Sequence, residues 1–105
     1  MKQNKNDNNT GWEANDNCIY LITTKGCEAC KIMTDIVVDT CFEIPYTFSV
    51  RIKDIKDISE WIKVNVPLND FPTLVFVKGN TIKYHISGTI SADKLKQLIK
   101  DLHFD

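Results

Sequence analysis

Residues 18–42 read CIYLITTKGCEACKIMTDIVVDTCF, and a change of rhythm inside this stretch decides the fold. Cys18 to Thr23 are nearly all apolar or β-branched, the pattern of a strand buried on both faces. Thr24-Lys25-Gly26 interrupts that run. From Cys27 the spacing turns helical: Cys30, Met33, Val37 and Cys41 recur at i, i+3, i+7 and i+11, and Ile32 and Ile36 widen the stripe. Glu28 falls in the first turn, where a negative charge suits the helix dipole. The segment Cys27-Glu28-Ala29-Cys30 therefore opens a helix directly after a strand.

Downstream, Ile44-Pro45 ends the helical pattern, and YTFSVRI (46–52) alternates as a second strand. Residues 54–65 bring Ile55, Ile58, Trp61 and Ile62 to one helical face, which predicts a second helix with Trp61 in the core or half in it rather than serving as a substrate platform. Val66 to Asp70 form a loop, and Phe71-Pro72-Thr73 leads into a third strand, LVFVK (74–78). Gly79-Asn80 is a two-residue turn signal, with TIKYHI (81–86) as hairpin partner. After Ser87-Gly88, Ser91 can cap a last helix that buries Leu95, Leu98, Ile99 and Leu102. The order is β-α-β-α-β-β-α, an α/β chain. Strands joined through helices are expected to run parallel, and the hairpin adds an antiparallel edge. The expected product is one mixed four-stranded sheet with helices on both faces.

Upstream, residues 1–17 are polar, Asn-rich and aperiodic, which predicts a disordered tail with Trp12 as the one residue suited to dock. The folded domain is expected over 18–105. A chain of 105 residues makes one domain, and 43% hydrophobic with 26% charged residues is ordinary for a globular protein. Lys+Arg 13 against Asp+Glu 14 gives no electrostatic argument for a nucleic-acid or anionic-membrane partner. No run approaches the ~18 apolar residues of a membrane span. The polar start lacks the apolar core of a signal peptide, so the expected location is the cytoplasm, and the expected state a monomer.

The cysteines stand at 18, 27, 30 and 41, one close pair and two singles. This is neither a disulfide-dense scaffold nor a matched pair of zinc knuckles, so no metal site is assigned. A CxxC at a helix N-terminus has a chemical purpose. The thiolate is the nucleophile of disulfide exchange, and the unpaired N–H groups and dipole of the helix start favour that charge. Two intervening residues let the second cysteine turn back and resolve a mixed disulfide. Cys27 is thus the expected exposed nucleophile, and Cys30 the buried resolver.

These residues resemble the thioredoxin superfamily over about residues 18–103. The resemblance rests on Gly26-Cys27-Glu28-Ala29-Cys30 opening a helix, Phe71-Pro72-Thr73 before the hairpin, and Gly88 after it. It implies a thioredoxin-like fold and a protein-disulfide oxidoreductase that needs no cofactor. It also implies a cis Pro72 beside the CxxC. Gly26, Phe71, Pro72 and Thr73 would then receive an extended substrate chain as an added strand. The implied partners are protein disulfides and an electron donor. The chain departs from thioredoxins proper at Gly26, where they carry Trp, and at Glu28-Ala29, where they carry Gly-Pro. Leu21 stands where they bury an Asp, and the chain lacks room for their extra N-terminal strand and helix. The glutaredoxin Cys-Pro-Tyr-Cys is also missing.

Other readings stand beside this one. The CxxC could hold a metal or cluster, or the fold could serve as a redox-silent peptide-binding module. Lys25 is either a solvated loop charge or a stabiliser of the Cys27 thiolate, and Glu28 either an ordinary first-turn acid or a tuning group. His85 on the hairpin is expected to be exposed, and His103 belongs to a helix end. Strand 18–23 covers ~20 Å and fourteen helical residues ~21 Å, so Cys18 and Cys41 finish at one level, opposite the CxxC. A buried stripe position and a cytoplasmic setting favour thiols there over a disulfide.

Overall fold

The computed structural model describes residues 17–43 and 48–104. The readings of Trp12, of Ile44-Pro45 and of the first two residues of the second strand lie outside the described residues. The strands are β1 (Asn17–Thr23), β2 (Phe48–Asp54), β3 (Thr73–Lys78) and β4 (Thr81–Ser87); the helices are α1 (Glu28–Glu43), α2 (Glu60–Asn65) and α3 (Ala92–Asp101). β1 begins at Asn17, one residue earlier than the sequence suggests.

The sheet order is β2-β1-β3-β4. β1 and β2 are parallel, whereas β3 runs antiparallel to β1 as well as to β4. This corrects the expectation that every helix-joined strand runs parallel. A parallel β3 needs a connector that travels back along the whole of β2, whose seven residues cover roughly 23 Å. The predicted helix over 54–65 is instead a 3-10 turn at Ile55–Asp57 followed by α2, whose six residues cover only about 9 Å. The chain goes out and returns to the same end of the sheet.

Alternation along β1 divides the interior in two. Ile19 and Leu21 face α1 and α3, in a cluster with Met33, Val37, Leu74, Phe76, Leu95 and Ile99. Ile22 faces the α2 side with Ile58, Ile62, Val66, Val75 and Val77. β3 lies between two strands and is buried over five of its six residues, which is why LVFV needs no polar alternation. Ser91 caps α3 by accepting from the Lys94 N–H at 3.1 Å. At the other end His103 adopts φ 59°, and Phe104 N–H reaches Ile99 C=O at 2.8 Å. That αL turn throws Phe104 back into the core, where it meets Phe76 edge-on at 5.7 Å.

Two apolar residues defy the periodicity. Ile32 is 53% exposed and Trp61 40%. On α1 the line Cys30, Met33, Val37, Thr40 faces the sheet, so Ile32 projects sideways. Trp61 and Ile62 are neighbours about 100° apart on α2, and Ile62 takes the buried place.

Candidate active site

The site forms where β1 ends. Gly26 holds φ +74°, a conformation that costs other residues roughly 1–2 kcal/mol, and it turns the chain into α1. Cys27 occupies the position just before the helix. Cys27 and Cys30 form a disulfide, with Cα atoms 5.2 Å apart. Cys27 is half-buried, while Cys30 is only 4% exposed and lies on the sheet-facing line of α1. The Cys30 N–H donates to Cys27 Sγ at 3.0 Å. One of the orphan donors of the helix start is therefore aimed at this sulfur, and it would hold a thiolate there. The Thr34 hydroxyl donates to the Cys30 carbonyl at 2.8 Å, pinning the same turn. Sequence reading missed Thr34; its signal is a threonine four residues after the second cysteine.

Antiparallel β3 brings the second half of the site to the same end. Thr73 pairs with Ile22, next to the end of β1 that leads into Cys27. Pro72 is buried, and the Phe71–Pro72 peptide is cis. Gly88 closes the corner: its N–H donates to Pro72 C=O at 2.8 Å from a backbone at φ +93°. The Thr73 hydroxyl donates to Asp70 C=O at 2.6 Å and meets the Ser87 hydroxyl at 3.1 Å, which ties the loop to β4. Phe71 is half-buried, and among the described residues nothing bonds to its backbone N–H or C=O. An unpaired peptide unit at the same end of the sheet as the Cys27 sulfur has its N–H and C=O free for pairing with an extended chain.

The charged candidates stand further out. Glu28 points to solvent and pairs with Lys31 at 3.3 Å, with side chains 82% and 74% exposed. An exposed pair of this kind carries little energy and little field. Lys25 is exposed on the turn, and no hydrogen bond or ion pair joins it to Cys27 among the described residues. Beneath the site Leu21 is fully buried, and the buried polar side chains among the described residues are Thr40 and Thr73. Among the described residues no carboxylate is therefore buried within reach of Cys30. No three His, Cys, Asp or Glu gather as a metal site among the described residues.

No protein-family model matches the chain, and comparison with curated proteins finds no relative. Solved structures do resemble it. Thioredoxin-2 of the malaria parasite, described as a component of its protein secretion machinery, is 19% identical over 83% of this chain and 84% of its own, with a TM-score of 0.70. Chloroplastic thioredoxin z is 12% identical over 85% and 80%, with a TM-score of 0.69. The germline-specific thioredoxin Deadhead of Drosophila melanogaster is 18% identical over 88% and 86%, with a TM-score of 0.71. The fold is thioredoxin-like, and it presents a CxxC pair at disulfide distance.

Proposed function

We propose that this thioredoxin-like domain exchanges disulfides with protein substrates, with Cys27 as nucleophile and Cys30 as resolving thiol. The observation that carries the reading is the Cys27–Cys30 disulfide at the start of α1, with the Cys30 N–H on Cys27 Sγ. In the reduced protein the Cys27 thiolate attacks one sulfur of a substrate disulfide. The other substrate sulfur leaves as a thiolate and takes a proton. Cys30 then loses its proton to solvent or to a departing sulfur and attacks Cys27 Sγ. The substrate leaves as a dithiol, and two electrons have passed to it. The domain is left in the disulfide state, and an external dithiol donor returns it to the start.

The substrate chain is read as an added strand on the Phe71 peptide unit, with Pro72 shaping the groove and Gly26 leaving room beside Cys27. A Cβ built on Gly26 meets nothing within 4 Å, so the space there is open. The test uses insulin reduction with dithiothreitol as donor. Cys27→Ser abolishes turnover. Cys30→Ser retains the first attack and accumulates a mixed disulfide visible on a non-reducing gel. Full turnover by Cys30→Ser would replace this mechanism with a monothiol one. Inactivity of the wild-type protein would remove the proposal.

A further inference from the structure

Two hydroxyls hold the loop before β3, and counting protons fixes their direction. The Thr73 hydroxyl lies 2.6 Å from Asp70 C=O and 3.1 Å from the Ser87 hydroxyl. A carbonyl has no proton to give, so Thr73 donates to Asp70. Thr73 then has no second proton, and Ser87 must be the donor in the other contact. The chain runs one way, from Ser87 Oγ–H to Thr73 Oγ1–H to Asp70 C=O. Thr73 is fully buried, whereas Ser87, its cross-strand partner on β4, is exposed.

The inner end of this chain acts on Phe71. Asp70 C=O and Phe71 N–H belong to one peptide group, and that group is trans; the cis bond is the next one, Phe71–Pro72. In a planar trans peptide the N–H lies opposite the C=O. Drawing the Asp70 oxygen to Thr73 therefore turns the Phe71 N–H away from Thr73. A carbonyl that accepts a hydrogen bond also makes the N–H of its own peptide a better donor. On the other side Pro72 has no N–H, and its carbonyl is taken by the Gly88 N–H at 2.8 Å. The loop is thus tied to the end of β4 on both sides of Phe71.

We infer, on the disulfide exchange proposed above, that Ser87 is a positioning residue: through Thr73 it orients the Phe71 N–H for an incoming chain, and so selects disulfides carried on a peptide backbone over disulfides without one. Its hydroxyl sits two hydrogen bonds from the peptide it orients.

The test compares two disulfides under one dithiothreitol donor: insulin, whose disulfides sit on a peptide backbone, and cystamine, which has none. Ser87→Ala raises KM for insulin about fivefold, the worth of one hydrogen bond, with kcat held within about twofold and KM for cystamine unmoved. Ser87→Thr keeps a hydroxyl on a side chain suited to a strand and restores KM for insulin. Thr73→Val raises KM for insulin by at least as much. Adding Ser87→Ala to it brings no further rise, because the outer hydroxyl acts only through the inner one. The Phe71 amide resonance moves in Ser87→Ala and returns in Ser87→Thr. With both disulfides turned over by the wild type, an unmoved KM for insulin in Ser87→Ala overturns the inference alone. An equal change with both disulfides reads as general loosening and overturns it too. So does a double variant that adds the full Ser87 effect to that of Thr73→Val, since Ser87 is then a separate contact. Wild-type inactivity on both disulfides overturns the proposed exchange itself, and the role of Ser87 with it.

Discussion

The two pairs of cysteines in this chain meet opposite fates. Cys27 and Cys30 share one turn at the start of α1 and are joined. Cys18 and Cys41 keep their thiols, although strand and helix lengths bring them to the same level. Level is not proximity. Cys18 points to the α2 side with Tyr20 and Trp61, and Cys41 packs on the α1 side against the cluster of Met33 and Val37. The sheet stands between them, and a disulfide needs Cα atoms within about 7 Å. Spacing within one turn is enough to define a disulfide pair, whereas a pair drawn from a strand and a helix depends on which face the strand residue takes.

The largest expected effect tests the chemical side of that contrast. In the reduced protein at pH 7, iodoacetamide should modify Cys27 about two orders of magnitude faster than Cys41, because a helix N-terminus favours thiolate and burial opposes it. Burial pushes the Cys41 thiol above its ordinary value of 9.0. Mass spectrometry after a brief pulse checks the order, and faster labelling of Cys30 than of Cys27 would reverse the assigned roles. Thiol counting on the denatured, air-oxidised chain sharpens the same comparison: two thiols remain, at Cys18 and Cys41.

Met33 sits on α1 between the two helical cysteines and is fully buried. Met33→Ala should cost roughly 2–5 kcal/mol in urea unfolding, through lost transfer energy and the cavity left behind. A smaller loss would mean that α1 is less firmly seated on the sheet than its burial indicates.

Gly26→Ala should cost about 1–2 kcal/mol, from the left-handed backbone and not from a clash. It should also slow disulfide exchange, because the turn aims Cys27. Unchanged stability and rate would show that the turn relaxes freely.

The smallest effect is alkaline. Tyr20 and Cys41 both titrate above their ordinary values of 10.0 and 9.0 in the folded chain, each mainly through burial. The folded state then holds protons that the unfolded chain releases. The stabilisation is complete below pH 9 and is lost as pH rises through the folded values. Tyr20→Phe and Cys41→Ala should each flatten the fall of stability between pH 9 and 11, read by urea midpoints. An unaltered slope in both would place its origin elsewhere.

Much of this molecule was legible in its residues. The strand before Cys27, the amphipathic α1, the Gly79-Asn80 hairpin and the Ser91 cap follow from short-range rules that act within a turn or two. Trp61 and Ile32 lie on apolar stripes yet stay partly exposed, because periodicity marks a stripe without saying how wide a face the neighbours cover. Phe104 carries no local signal, because a single aromatic after a helix has no period; an αL turn at His103 buries it.

By itself the sequence determined the cysteine pair and its place at a helix start, because four residues in one turn fix their own geometry. Only the tertiary structure decided that Pro72 lies at the same end of the sheet as that pair. A parallel β3 would have carried Phe71-Pro72-Thr73 to the far end of the sheet. The direction of β3 depends on how far the connector from β2 travels, and a six-residue α2 cannot return the chain along a seven-residue strand. The separation of Cys18 from Cys41 has the same character: it follows from packing helices on opposite faces of one sheet, a relation among distant segments that no local spacing encodes.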